Sequence, residues 1–113
     1  MHTEVFETLA DPMRRRIIEA LRGGEQAVND LVDRLDIHQS GVSRHLRILH
    51  RTGFVRVRPA GPQRFYSLRP ERFRELDRWV NAYRKLWEAR LDRFGAELER
   101  RQTARKPQPK EPA

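Results

Sequence analysis

The sequence predicts a mainly α fold with one small β-hairpin past its middle and a long helix at its end. Three observations carry this. Segments before residue 53 place apolar side chains at three- and four-residue steps, residues 54–68 alternate around a Gly-Pro turn, and helical spacing resumes after Pro70. With 113 residues, no cysteine and 37% apolar residues, the chain reads as one domain over residues 1–101. A disordered tail rich in Pro, Lys and Gln is expected over 102–113.

The elements follow in order. Residues 3–9 form a short amphipathic helix with Val5, Phe6 and Leu9 on one side. Asp11-Pro12 starts the second helix, since Asp accepts from the exposed N–H groups and proline suits the first helical position. Met13, Ile17, Ile18 and Leu21 keep its apolar stripe, and Gly23-Gly24 ends it. Val28, Leu31, Val32 and Leu35 define a third helix over about 28–35. A tight connection, Asp36 to Gln39, leads to a fourth over about 40–52, with Val42, Leu46 and Leu49 inward and Gly53 as its stop. Phe54–Pro59 and Arg64–Leu68 are the strands, joined through Ala60-Gly61-Pro62-Gln63. The last helix, about 71–100, carries Phe73, Leu76, Val80, Tyr83, Trp87, Leu91, Phe94 and Leu98.

Charge is distributed unevenly over these elements. The chain has 24 basic and 16 acidic residues, a net charge of +8. Residues 1–36 hold eight acids and five bases, whereas Ile37 to Arg69 holds seven arginines and no acid. Such a segment attracts a polyanion. Helices followed by a hairpin and a further helix make a winged helix-turn-helix, and its second motif helix is expected in the major groove of duplex DNA. Opposite Val42, Leu46 and Leu49 lie Gln39, Ser40, Ser43, Arg44 and Arg47. Arg44 matches the two acceptors of guanine, and Gln39 those of adenine. Ser40 and Ser43 suit a base or a phosphate, while Arg47 and Arg51 suit the backbone. Arg56, Arg58 and Arg64 flank the hairpin tip and suit the flanking backbone or a minor groove. His45 is read as a packing residue beside Leu46, with a DNA contact as the alternative.

Three segments resemble the ArsR-type (arsenic-repressor-like) transcriptional regulators. LADPMRRRIIEAL resembles that family's second helix, VNDLVDRLDIHQSGVSRHLRILHRTGFV its helix-turn-helix, and RFYSL its second wing strand. With the closing helix, the resemblance covers about residues 3–100. It implies DNA contacts at Gln39, Ser40, Ser43 and Arg44, and a twofold dimer made by the first and last helices. Phe6, Leu76, Val80, Tyr83, Trp87 and Phe94 are the expected dimer interface. The chain departs from the family at His38, where a Ser or Thr cap is usual. It also lacks the family's metal patterns: the third helix, NDLVDRLD, has no cysteine, and no histidine follows His50. No metal and no cofactor are therefore expected.

Enzyme chemistry finds no support. Ser43 and His45 do not share a helix face, no Gly-rich phosphate loop opens a helix, and no catalytic carboxylate pair stands out. No apolar run reaches membrane-spanning length and the first residues lack the apolar region of a secretory signal, so no membrane partner is expected and the cytoplasm is the expected compartment. The expected partners are double-stranded DNA and a second copy of the chain, and a small-molecule effector is left open. Two alternatives remain. One is a protein-interaction module using the Trp79/Trp87 face. The other is a packaging protein indifferent to nucleic-acid sequence.

Overall fold

A computed structural model describes residues 3–104. Its elements are α1 (Thr3–Ala10), α2 (Pro12–Leu21), β1 (Gln26–Ala27), α3 (Val28–Leu35), α4 (Gln39–Arg51), β2 (Val55–Ala60), β3 (Gln63–Leu68) and α5 (Pro70–Ala104). The chain divides into two compact units between Asp77 and Arg78. α5 continues three residues past the expected boundary at 101, and the remainder of the expected tail lies outside the described residues.

In the first unit, local chemistry sets the helix ends. Asp11 caps α2, its Oδ1 accepting from the Met13 and Arg14 N–H groups at 2.8 and 3.2 Å, with Pro12 at the first helical position. α3 ends on Asp36, whose left-handed backbone (φ 53°) lets its N–H donate to the Val32 carbonyl at 3.0 Å. That turn sends the chain directly into α4. α4 ends on Gly53 (φ 84°): the Gly53 N–H donates to His50 O at 3.2 Å and the Phe54 N–H to Leu49 O at 2.9 Å. This pair of bonds is the Schellman motif, and it buries Phe54 as the chain turns into the hairpin. Arg72 at the start of α5 holds the same corner, donating from Nε to the Thr52 carbonyl at 2.8 Å.

The core gathers Val5, Ile17, Leu21, Leu31, Val42, Leu46, Leu49, Phe54 and Val55, all essentially inaccessible, so every helix of the motif is fixed to one apolar centre. The first two turns of α5 add Phe73 and Leu76, and Phe73 meets Phe54 edge to face with ring centres 5.4 Å apart. Leu76, expected at a dimer interface, is thus half-buried against its own core.

The hairpin belongs to a three-stranded antiparallel sheet of order β1-β3-β2. β2 and β3 pair from Val55 with Leu68 to Ala60 with Gln63, so only Gly61 and Pro62 form the turn. Gly61 has φ 60° and proline holds the next φ near −65°, the pattern of a type II′ turn. β1, which the sequence reading lacked, pairs Gln26 with Tyr66 and Ala27 with Phe65. It is too short to show alternation and is recruited by β3. In the second unit, α5 is helical throughout and carries Trp79, Val80, Tyr83, Leu86, Trp87, Leu91, Phe94 and Leu98 exposed, between 42% and 64%.

Candidate nucleic-acid interface

α4 buries Val42, His45, Leu46 and Leu49 and leaves two polar stripes outside. One runs Gln39, Ser43, Arg47, His50 on the side facing the hairpin, where these four line a common cleft with β3. The other runs Ser40, Arg44, Arg51 on the outer side, all exposed. The expected contact residues of the helix are therefore all on its accessible surface, with Ser43 half-buried. α4 starts at Gln39, one residue earlier than expected, and His38 at its cap makes no side-chain bond to the helix. The helix thus begins without the Ser or Thr acceptor, fastened by its backbone, the Val42 N–H donating to His38 O at 3.1 Å.

His45 is 8% exposed and its Nδ1 has no hydrogen-bond partner. Burial pushes its pKa down, the Asp11 carboxylate pulls it up, and Arg14 and Arg44 push it down again, leaving it below the ordinary value. This histidine is a neutral core residue joining α4 to the capped start of α2, the packing role anticipated for it.

The hairpin arginines are held in different ways. Arg58 grips Glu25 through two nitrogens, Nε to Oε2 at 3.0 Å and Nη2 to Oε1 at 2.7 Å, and its guanidinium lies 4.7 Å from the Phe65 ring centre. The hydrogen bond from Arg58 holds the Glu25 carboxyl below the usual carboxylate range. Arg58 therefore ties the hairpin to the segment before β1 rather than standing ready at its tip. Glu25 was not singled out from the sequence, since 33 residues separate the partners and nothing local marks the pair. Arg56 faces out, and the Glu71 carboxyl is held low by its own backbone N–H first, then by Arg69, with Arg56 adding least. Arg64 is exposed on the cleft side of β3. Among the described residues Arg44, Arg47, Arg51 and Arg64 form no ion pair or hydrogen bond, so four guanidiniums face solvent from one helix and one strand.

Among the described residues, no three His, Cys, Asp or Glu side chains gather as a metal set. Nor is any helix there long and apolar enough to cross a membrane.

A helix-turn-helix whose second helix exposes unpaired arginines, followed by a hairpin wing, defines a DNA-binding transcriptional regulator. Comparison with known proteins agrees. A family model described as a helix-turn-helix domain matches residues 9–58, from the end of α1 into β2. The transcriptional repressor SdpR of Bacillus subtilis is 29% identical over 76 residues, 67% of this chain and 84% of the relative. A crystal structure of a possible transcriptional regulator for arsenical resistance matches with a TM-score of 0.66 and 34% identity, covering 85% of this chain and 97% of that one. An ArsR family transcriptional regulator matches with the same TM-score and 28% identity, over 75% and 88% of the two chains. This chain belongs to the ArsR family of winged helix-turn-helix transcriptional regulators, whose matched members are regulators and not enzymes.

Proposed function

We propose that this protein is a homodimeric repressor that binds a pseudo-palindromic operator in the cytoplasm and acts on its own promoter or a neighbour's. The observation that carries the reading is the exposed surface of α4, with Arg44, Arg47 and Arg51 unpaired inside a segment, Ile37 to Arg69, that contains no acid. In this reading α4 enters the major groove. Arg44 takes guanine, Gln39 takes adenine, and Ser40 and Ser43 contact bases or phosphates near the start of the helix. Arg47 and Arg51 hold the backbone, and Arg56 and Arg64 bring the wing to the flanking backbone or minor groove. Arg58 serves through the wing's position, by way of Glu25.

The dimer is supported by the apolar surface of α5. Trp87 is 64% exposed, Phe94 62%, Leu91 60% and Tyr83 52%, with Phe6 of α1 at 40%. Leaving that surface in water forgoes about 25 cal/mol per Å² of burial. A second copy covers it, and a twofold dimer then presents two reading helices about 34 Å apart, one turn of DNA. The reading is tested by replacing Val80 and Tyr83 with glutamate and measuring mass and DNA affinity together. Loss of both supports it. A monomer that keeps specific binding points instead to the Trp79/Trp87 face as a surface for another protein.

A further inference from the structure

The cleft between α4 and β3 holds more than the base-reading positions Gln39 and Ser43. It encloses about 470 Å³ and is lined by Arg47 and His50 from α4, Gln63 and Arg64 from the hairpin, Asn29 at the start of α3, and Tyr66. No carboxylate lines it, although acids flank it in sequence at Asp30 and Asp33. Two guanidiniums, an imidazole, the amides of Asn29, Gln39 and Gln63 and the Ser43 hydroxyl supply donors with no carboxylate among them, a lining suited to an anion with several oxygens.

We propose that this cleft seats the sugar–phosphate strand lying between the major groove entered by α4 and the minor groove approached by the wing, with His50, Arg47, Arg64 and Gln63 as its phosphate contacts. This assignment rests on the regulator reading above and adds His50 and Gln63 to the interface. Two elements that occupy neighbouring grooves of one duplex must straddle the strand that divides them, and the cleft is the gap between those two elements. The stripe Gln39, Ser43, Arg47, His50 runs along α4 into this gap, continuous with the outer stripe that carries Arg44. A free nucleotide fits less well. The one aromatic side chain in the lining, Tyr66, is 9% exposed and presents little ring face for a base to stack on.

The experiment couples side chain to phosphate. Affinities of the full chain, His50→Ala and Arg64→Gln are measured on the preferred duplex and on a scrambled one across a salt series. Duplexes carrying one neutral methylphosphonate at each successive position complete the set. His50→Ala is expected to weaken both duplexes alike, about fivefold, and Arg64→Gln to make the slope of log affinity against log salt shallower by about one. One neutralised phosphate should weaken the unmodified chain but weaken His50→Ala no further, as for partners in a double-mutant cycle. If His50→Ala keeps full affinity, or relaxes preference at one base pair alone, the cleft assignment is overturned while the regulator reading stands. Adenosine monophosphate is the competing probe: if it binds the free chain and His50→Ala abolishes that binding without altering DNA affinity, the cleft is an effector site. An unmodified chain that binds neither duplex overturns the regulator reading and this assignment with it. Both variants alter exposed side chains, and an unchanged melting temperature confirms folding.

Discussion

Arg44 and His45 are neighbours in α4 with opposite tasks. Arg44 points outward without a partner, and its fork is free to meet the two acceptors of a guanine. Replacing it with alanine should cost about 1–3 kcal/mol on the preferred duplex and relax preference at one position, read by competition binding on single-base variants. Equal loss on all sequences would move Arg44 to a backbone role. His45 instead is packed inside, facing Asp11 and Arg14 of α2 and adjoining Arg44. Its folded-state pKa is depressed, so the unfolded chain takes the proton more readily. The stability it contributes is complete above the ordinary value of 6.5 and is lost as pH falls through it toward the folded value. Urea unfolding at pH 7.5 and 5.5 should show a drop in the native chain that is smaller in His45→Gln. An equal drop in both would remove His45 as the cause.

At the scale of the element, the helix ends set the direction of the reading helix. Asp11→Ala removes the acceptor for two N–H groups and should cost about 0.5–2 kcal/mol. Partial burial pushes the Asp11 carboxyl up, but the N–H groups of Arg14 and Met13 outweigh it and hold its pKa low. This contribution is therefore present at neutral pH and lost only as acid protonates the carboxylate. Gly53→Ala forces a side chain into a left-handed backbone, 3.3 Å from the Arg72 Nε that clamps the end of α4. A loss of about 1–3 kcal/mol in denaturant unfolding is expected. These ends were legible because they depend on adjacent residues: Asp-Pro starts a helix and Gly stops one wherever they stand. β1 and the Glu25–Arg58 pair were not legible, since both form only when β3 has already brought distant residues together. The end of α5 was set short by four residues for a similar reason, as Gln102 and Thr103 carry no signal that separates the last turn of a helix from a polar tail.

For the whole molecule, charge segregation and an uncovered apolar face are the two properties that local structure does not explain. An acid-free segment of 33 residues carries seven of the arginines. If each half of a dimer makes four or five phosphate contacts, log affinity should fall with log salt at a slope of about −7 to −9. A slope near half of that would indicate a single bound chain. The outer residues of the reading helix were visible in the sequence because a 3.6-residue period separates buried from exposed positions directly. The cleft was not visible, because it exists only where β3 stands beside α4, although the 39, 43, 47, 50 spacing already set His50 on the stripe of Gln39. The most direct test of the central claim is affinity for the DNA upstream of the protein's own gene, against a scrambled duplex of equal length at about physiological salt. A preference of about a thousandfold or more is expected of a specific regulator. Equal, salt-sensitive binding to both duplexes would contradict regulation through that promoter and favour sequence-indifferent packaging, which genome-wide mapping of bound sites would separate from a distant operator.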